Sequence, residues 1–206
     1  MKHNQKPIHF NGQVSLKHID KGIEMSDQSK IASDLLEIEA LLQCDMTNLA
    51  TSSIPLHTVE IWMESESIEV MGAVAELISS CGHFKQIMPP LEFEPYHRFF
   101  LRYYERCLLE DPQGKWAHSR YSAGWDIVRW FIGLWDNPSI PRNIIEDLKK
   151  WLARIYLASN DSLRTCLVTA TLEHLFENPD VRNFFLDWKK DPVLGIAFGQ
   201  AAEWSE

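Results

Sequence analysis

The sequence predicts a mainly α fold: a single multi-helix domain of orthogonal or bundle-like packing, preceded by a short N-terminal β-hairpin. Three observations carry that expectation. The stretch from Asp161 to Phe176 sets Leu163, Cys166, Leu167, Ala170, Leu172, Leu175 and Phe176 at helical spacing, and Val168 widens the stripe. Few charges interrupt it, so this helix is expected to be covered on most sides. The segments Tyr121–Trp135, Asn143–Ala158 and Asp180–Lys189 each pair an aromatic face with a charged one, and read as its packing partners. Finally, 206 residues with a hydrophobic share of 45% suffice for one sizeable core.

In chain order, Asn11-Gly12 sits between short alternating stretches from Ile8 to Val14, the signal for a two-residue hairpin whose turn positions want positive φ. Residues 1–28 are read as this hairpin or arm, and 29–206 as the helical domain. Ser29–Cys44 forms the first solid helix, with Ile31, Leu35, Ile38 and Leu42 as its stripe, widened by Leu36 and Leu41; Ser26 or Asp27 would cap it. Met46–Leu56 is Thr- and Ser-rich with Pro55, and reads as a loop. Thr58–Met63 alternates like a strand, yet its helical surroundings favour a helix.

Ile68–Ser80 buries Met71, Val74, Ala75 and Ile78, shows Glu69 and Glu76 outward, and stops near Gly82. Pro89-Pro90 breaks regular structure, making 89–95 the candidate subdomain break. Pro95 can start the next helix, lined by Phe99, Phe100, Tyr103, Tyr104 and Cys107. After the Asp111-Pro-Gln-Gly114 turn, Tyr121–Trp135 places Trp125, Val128, Ile132 and Trp135 on one face, with Asp126, Arg129 and Asp136 elsewhere. Asn143–Ala158 carries Ile144, Leu148, Trp151, Leu152 and Ile155. Pro179 opens a helix burying Val181, Phe184, Phe185 and Trp188, and Pro192 begins a last helix reaching about Trp204.

Composition narrows the functions. No apolar run approaches the ~20 residues that span a bilayer, and the start is charged without an apolar stretch, so no secretory signal is expected. Cys44, Cys81, Cys107 and Cys166 are far apart and never form a Cys-x-x-Cys pair, which suits four reduced cysteines in a cytoplasmic protein. The net charge of −9 is unevenly placed. Eleven acids but only Lys85 among the bases fall between Asp34 and Glu94, a net −10, while the remaining 18 acids and 19 bases nearly cancel. Such a band repels nucleic acid and anionic membrane and attracts a basic protein.

Catalytic patterns are missing. The phosphate loop, the dinucleotide fingerprint and the nucleophile elbow have no match. Glu173-His174 lacks the second histidine of a zinc hydrolase, and Thr171 stands where a di-iron bundle needs glutamate. Neither a cofactor nor a metal is expected. Three constellations remain. Glu173, His174 and Glu177 could tune a general base or form a polar edge. Trp116-Ala-His-Ser-Arg-Tyr-Ser-Ala-Gly-Trp-Asp126 concentrates the side chains of binding hot spots, or is a helix entry capped by Ser122. The acidic band is either a solvated outer face or a recognition surface.

The segments Tyr121-Ser-Ala-Gly-Trp-Asp-Ile-Val-Arg-Trp-Phe131 and Leu163-Arg-Thr-Cys-Leu-Val-Thr-Ala-Thr-Leu-Glu-His-Leu-Phe-Glu177 resemble small all-helical bacterial proteins of unassigned activity. They are also similar to immunity proteins that neutralise polymorphic toxins. The resemblance covers the second half of the chain and carries no signature residues. With the acidic band, it implies a non-enzymatic binding protein, monomeric or weakly dimeric, that neutralises a basic cognate toxin. The expected contact residues are Glu60, Trp62, Glu64, Glu66 and Glu69 in the band, and Trp116, His118, Arg120, Tyr121 and Asp126 in the second constellation. The alternatives are an adaptor or regulatory subunit of a helical oligomer, and a small enzyme using His174 or His118 with a nearby carboxylate.

Overall fold

Nine residues of the central stretch, from Leu163 through Cys166, Leu167, Val168, Ala170, Thr171, Leu172 and Leu175 to Phe176, are buried, as its uninterrupted apolar pattern requires. The computed structural model describes residues 17–43 and 53–205; the predicted hairpin at Ile8–Val14 and most of the predicted Met46–Leu56 loop lie outside them. The order is α1 (Lys17–Gln43), β1 (Ile54–Pro55), α2 (Leu56–Met63), α3 (Ile68–Ser79), α4 (Cys81–Phe84), β2 (Ile87–Met88), α5 (Phe93–Glu110), α6 (Arg120–Trp135) and α7 (Arg142–Ala158). Next come α8 (Asp161–Leu167), a π-helical turn (Val168–Leu172), α9 (Glu173–Phe176), α10 (Pro179–Phe184), a 3₁₀ turn (Leu186–Lys190) and α11 (Leu194–Trp204). The fold is mainly α, and the strands among the described residues are a two-residue parallel pair with Ile54 opposite Ile87.

The π turn sits where α6 packs closest. A Cβ on Gly124 would come within 2.7 Å of the Ala170 Cβ, so glycine there lets the two helices approach. The buried Thr171 hydroxyl donates to the Gly124 carbonyl at 3.2 Å, satisfying a polar group that has no access to water. Helices α6 and α11 flank this turn, α7 packs on α8, and α9 packs on both α10 and α11. One apolar cluster runs from Ile38 and Trp62 through Phe100 and Phe131 to Phe198 and Ala201, continuous across the Pro89-Pro90 break.

Several boundaries and faces differ from expectation. Helix α1 begins at Lys17, so Ser26 and Asp27 lie inside it rather than capping it. The first 28 residues therefore include helix and are not wholly an arm. Along α1 Ile38 is fully buried while Leu36 is 69% exposed, because position 36 falls off the stripe that faces α3. Thr58–Met63 is helical, within α2. Gly82 lies within the short α4, since Ser80 already ends α3 with an extended backbone. Pro95 stands at the third position of α5 rather than opening it. Ser119, not Ser122, caps α6, its hydroxyl accepting the Ser122 N–H.

The rotation of α6 is the largest correction. Ala123, Asp126, Ile127, Trp130, Phe131 and Leu134 face the core, while Trp125 is 49% exposed. The tryptophans at 125 and 135 drew the predicted face nearly half a turn away. The true face follows Ile127, Trp130, Phe131 and Leu134, and it carries the carboxylate of Asp126 inward with it.

Candidate functional site

The connection from α5 to α6 is held from several directions. Asp111 leaves α5 in the left-handed region (φ 49°), and its Oδ1 accepts the Arg120 N–H at 2.9 Å. From α3, Glu69 accepts three successive backbone N–H groups at 3.0 Å: Lys115 and Trp116 on Oε2, Ala117 on Oε1. From α1, Glu39 Oε1 accepts the Lys115 ammonium at 2.8 Å and the Trp116 indole N–H at 2.9 Å. Those donors, Lys115 first, hold the Glu39 carboxyl below its ordinary range. The buried Tyr103 hydroxyl accepts the His118 N–H at 3.0 Å and donates to the Trp116 carbonyl at 3.5 Å. Gly72 of α3 completes the fit, because a Cβ there would lie 2.3 Å from the Trp116 carbonyl oxygen.

This scaffolding presents His118. Its Nδ1 lies 2.5 Å from Asp126 Oδ2, but the geometry is not that of a hydrogen bond, and Nδ1 has no hydrogen-bond partner among the described residues. Asp126 also meets the guanidinium of Arg129, one turn on. Its side chain is only 10% exposed, and the pairing compensates a charge that burial would otherwise penalise heavily. Burial pushes the His118 ring below the usual histidine range; Glu76 opposes that shift and Arg129 adds to it. Around them opens a cleft of about 330 Å³. An adjoining depression of about 420 Å³, walled by the 112–119 loop, shares His118 and Glu76 with it. Beneath the cleft Trp130 is 8% exposed, and its indole nitrogen has no hydrogen-bond partner among the described residues.

A second surface lies between α1 and α2. Asp27 and Asp34 from one side, and Glu60, Glu64 and Glu66 from the other, line a groove of about 890 Å³. Lys30 is the fixed cation in that lining, and Ile31 and the 53% exposed Ile61 give it an apolar stripe. Glu64 is tied to Arg102 of α5 at 3.2 Å, while the same guanidinium donates to the Met63 and Ser65 carbonyls at 2.6 and 3.0 Å. The rim of the groove is therefore anchored to the core helices.

The ten expected contact residues thus divide. Glu60, Glu64 and Glu66 share the groove, and His118 and Asp126 share the cleft. Trp62 is 2% exposed and belongs to the core, because α2 turns its indole inward alongside Val59 and Met63. Glu69 and Trp116 are committed to the loop clamp described above. Arg120 turns back on α5, its Nε donating to the Leu108 carbonyl at 2.7 Å. Tyr121 is 52% exposed on the outer side of α6, near neither site. Histidine 174 stacks on Trp125 with ring centroids 3.8 Å apart and pairs with Glu177 at 2.8 Å, forming a polar edge of the central helix.

Sequence reasoning missed Asp27 and Ile61 in the groove, and Tyr104, Arg129 and Trp130 in the cleft; it counted Asp34 and Glu76 in the acidic band without naming them as contacts. Arg129 and Trp130 were accessible through the rotation of α6, since they follow Asp126 at i+3 and i+4. Among the described residues no group of His, Cys, Asp and Glu is placed to hold a metal ion, and no helix is long and apolar enough to cross a membrane. Burial raises the thiols of Cys107 and Cys166 to about 11, so both are poor nucleophiles near neutrality. The chain matches no family model, no curated protein and no solved structure.

Proposed function

We propose that the chain is a non-enzymatic binding protein that seats a basic segment of a partner protein in the groove between α1 and α2, in the manner of an immunity protein that neutralises a toxin. The supporting observation is the groove itself, where five carboxylates surround an apolar stripe with Lys30 as the fixed cation of the lining. Opposite charge on the partner accelerates encounter, and Ile61, desolvated on docking, slows dissociation. The Asp34 and Glu60 side chains carry no ion pair with another described residue, which leaves them for an incoming lysine or arginine, while Glu66 stands beside Arg106, whose guanidinium donates to the Glu66 carbonyl at 2.7 Å.

The test is the association rate with the toxin encoded beside this chain, measured at several salt concentrations. Replacing Asp34, Glu60 and Glu66 together by lysine should slow association by at least about tenfold at low salt and flatten its salt dependence. Unchanged rates and slope in the triple variant would refute the reading.

A further inference from the structure

The cleft at His118 lies apart from the acidic groove and needs an occupant of different chemistry. One wall is aromatic: Tyr96, Phe100 and Tyr104 recur at i, i+4 and i+8 along α5, and Trp130 of α6 closes on them with centroids 5.8 Å from Phe100 and 5.7 Å from Tyr104. The facing wall is polar, with Glu76, His118, Asp126 and Arg129. The hydroxyls of Tyr96 and Tyr104 make no hydrogen bond to another described residue, and the Trp130 indole nitrogen is buried without a partner. That nitrogen lies at the cleft floor, so its resonance reports on an occupant above it.

Charge selects among ligands. The lining sets two carboxylates, Glu76 and Asp126, against the one guanidinium of Arg129, which already meets Asp126, so a phosphate or carboxylate would meet more negative charge than positive. A cation would face Glu76 but also the Arg129 guanidinium beside it. What fits is a neutral ring carrying several hydroxyls: its C–H face lies on the aromatic wall, its hydroxyls donate to the carboxylates, and its oxygens accept from the tyrosine hydroxyls. The volume of about 330 Å³ is at the small end of ligand sites, which run from about 300 to 1,000 Å³.

We propose that the cleft between α3, α5 and α6 binds a monosaccharide-sized neutral polyol, oriented by Glu76 and Asp126 on one side and the tyrosine–tryptophan wall on the other. The experiment titrates the full chain with methyl glucoside, methyl galactoside and N-acetylglucosamine, following the indole N–H resonance of Trp130 by NMR after assignment with Trp130→Phe. At least one sugar should shift that resonance saturably below about 50 mM. Glu76→Gln, at an exposed position, should weaken that binding at least about fivefold without moving the melting temperature, and Tyr104→Phe should do the same. Inorganic phosphate and tetramethylammonium serve as the anionic and cationic probes. A saturable shift with either in place of the sugars, or no saturation with any sugar, overturns the proposal. Because no groove residue takes part, the outcome is independent of partner binding at α1 and α2.

Discussion

Removing the Glu69 carboxylate should be the most informative single change outside the core. Glutamate 69 accepts the N–H groups of Lys115, Trp116 and Ala117, all at 3.0 Å. The first of these is exposed, so water replaces the carboxylate there. The bonds to Trp116 and Ala117 are part-buried, and each charge-assisted bond of that kind contributes about 1.5 kcal/mol or more. Glu69→Ala should therefore cost about 3 kcal/mol. Glu69→Gln should cost nearly as much, since its single carbonyl oxygen leaves an amide NH₂ facing a backbone donor. With a urea slope of about 2–3 kcal/mol per molar, the unfolding midpoint should fall by about 1 M or more. Trp116 fluorescence reports the loop and far-ultraviolet circular dichroism reports the helices. A midpoint shift below about 0.2 M in both variants would show that the carboxylate does not hold the loop, and the assignment of His118 as a positioned residue would go with it.

Three further outcomes follow from the same geometry. Gly72→Ala should destabilise by about 2–3 kcal/mol in urea unfolding, because the new methyl group meets backbone at Trp116 and Ala117 rather than a yielding side chain; an unchanged midpoint would contradict the close approach. Trp62→Ala should cost about 3–5 kcal/mol as a core truncation, whereas an exposed contact residue would lose partner affinity at constant stability. Burial depresses the imidazoles of both His97 and His118, with Glu94 and Asp147 opposing at His97 and Glu76 opposing at His118. The unfolded chain therefore binds protons first as pH falls, so stability is full above about 6.5 and declines as pH drops below it toward the depressed folded values. Thermal melts between pH 8 and pH 5.5 should show this decline (about the range of histidine titration), and it should be shallower in His118→Gln; identical pH profiles would exclude His118 as a contributor.

Periodicity was enough to read the helices that pack through aliphatic residues. Ile68–Ser79 and Asp161–Phe176 emerged with the buried residues expected of them, because a single strong stripe leaves one orientation that hides it. Helix α6 did not, since its tryptophans recur on two overlapping faces and hydrophobicity alone cannot rank them. The rank is set by tertiary partners, His97, Phe100 and Tyr104 on one side and the π turn on the other. The rotation error concealed the cleft, as it displayed Asp126 as an outward charge. The acidic band was legible as a count but not as a surface. Glu39 and Glu69 serve the loop inside the molecule, while Asp34, Glu60, Glu64 and Glu66 gather at the groove. Sequence neighbours such as Glu66 and Glu69 differ in task because Glu66 lies in the connection before the Ser67 cap, while Glu69 stands in the first turn of α3.

Helix α1 carries Asp34 into the groove and Glu39 to the indole of Trp116, so one rod touches both outer surfaces. The two surfaces thus share one helix, with Asp34 and Glu39 about a turn and a half apart along it, and the loop bearing His118 is fastened to the same rod that lines the groove.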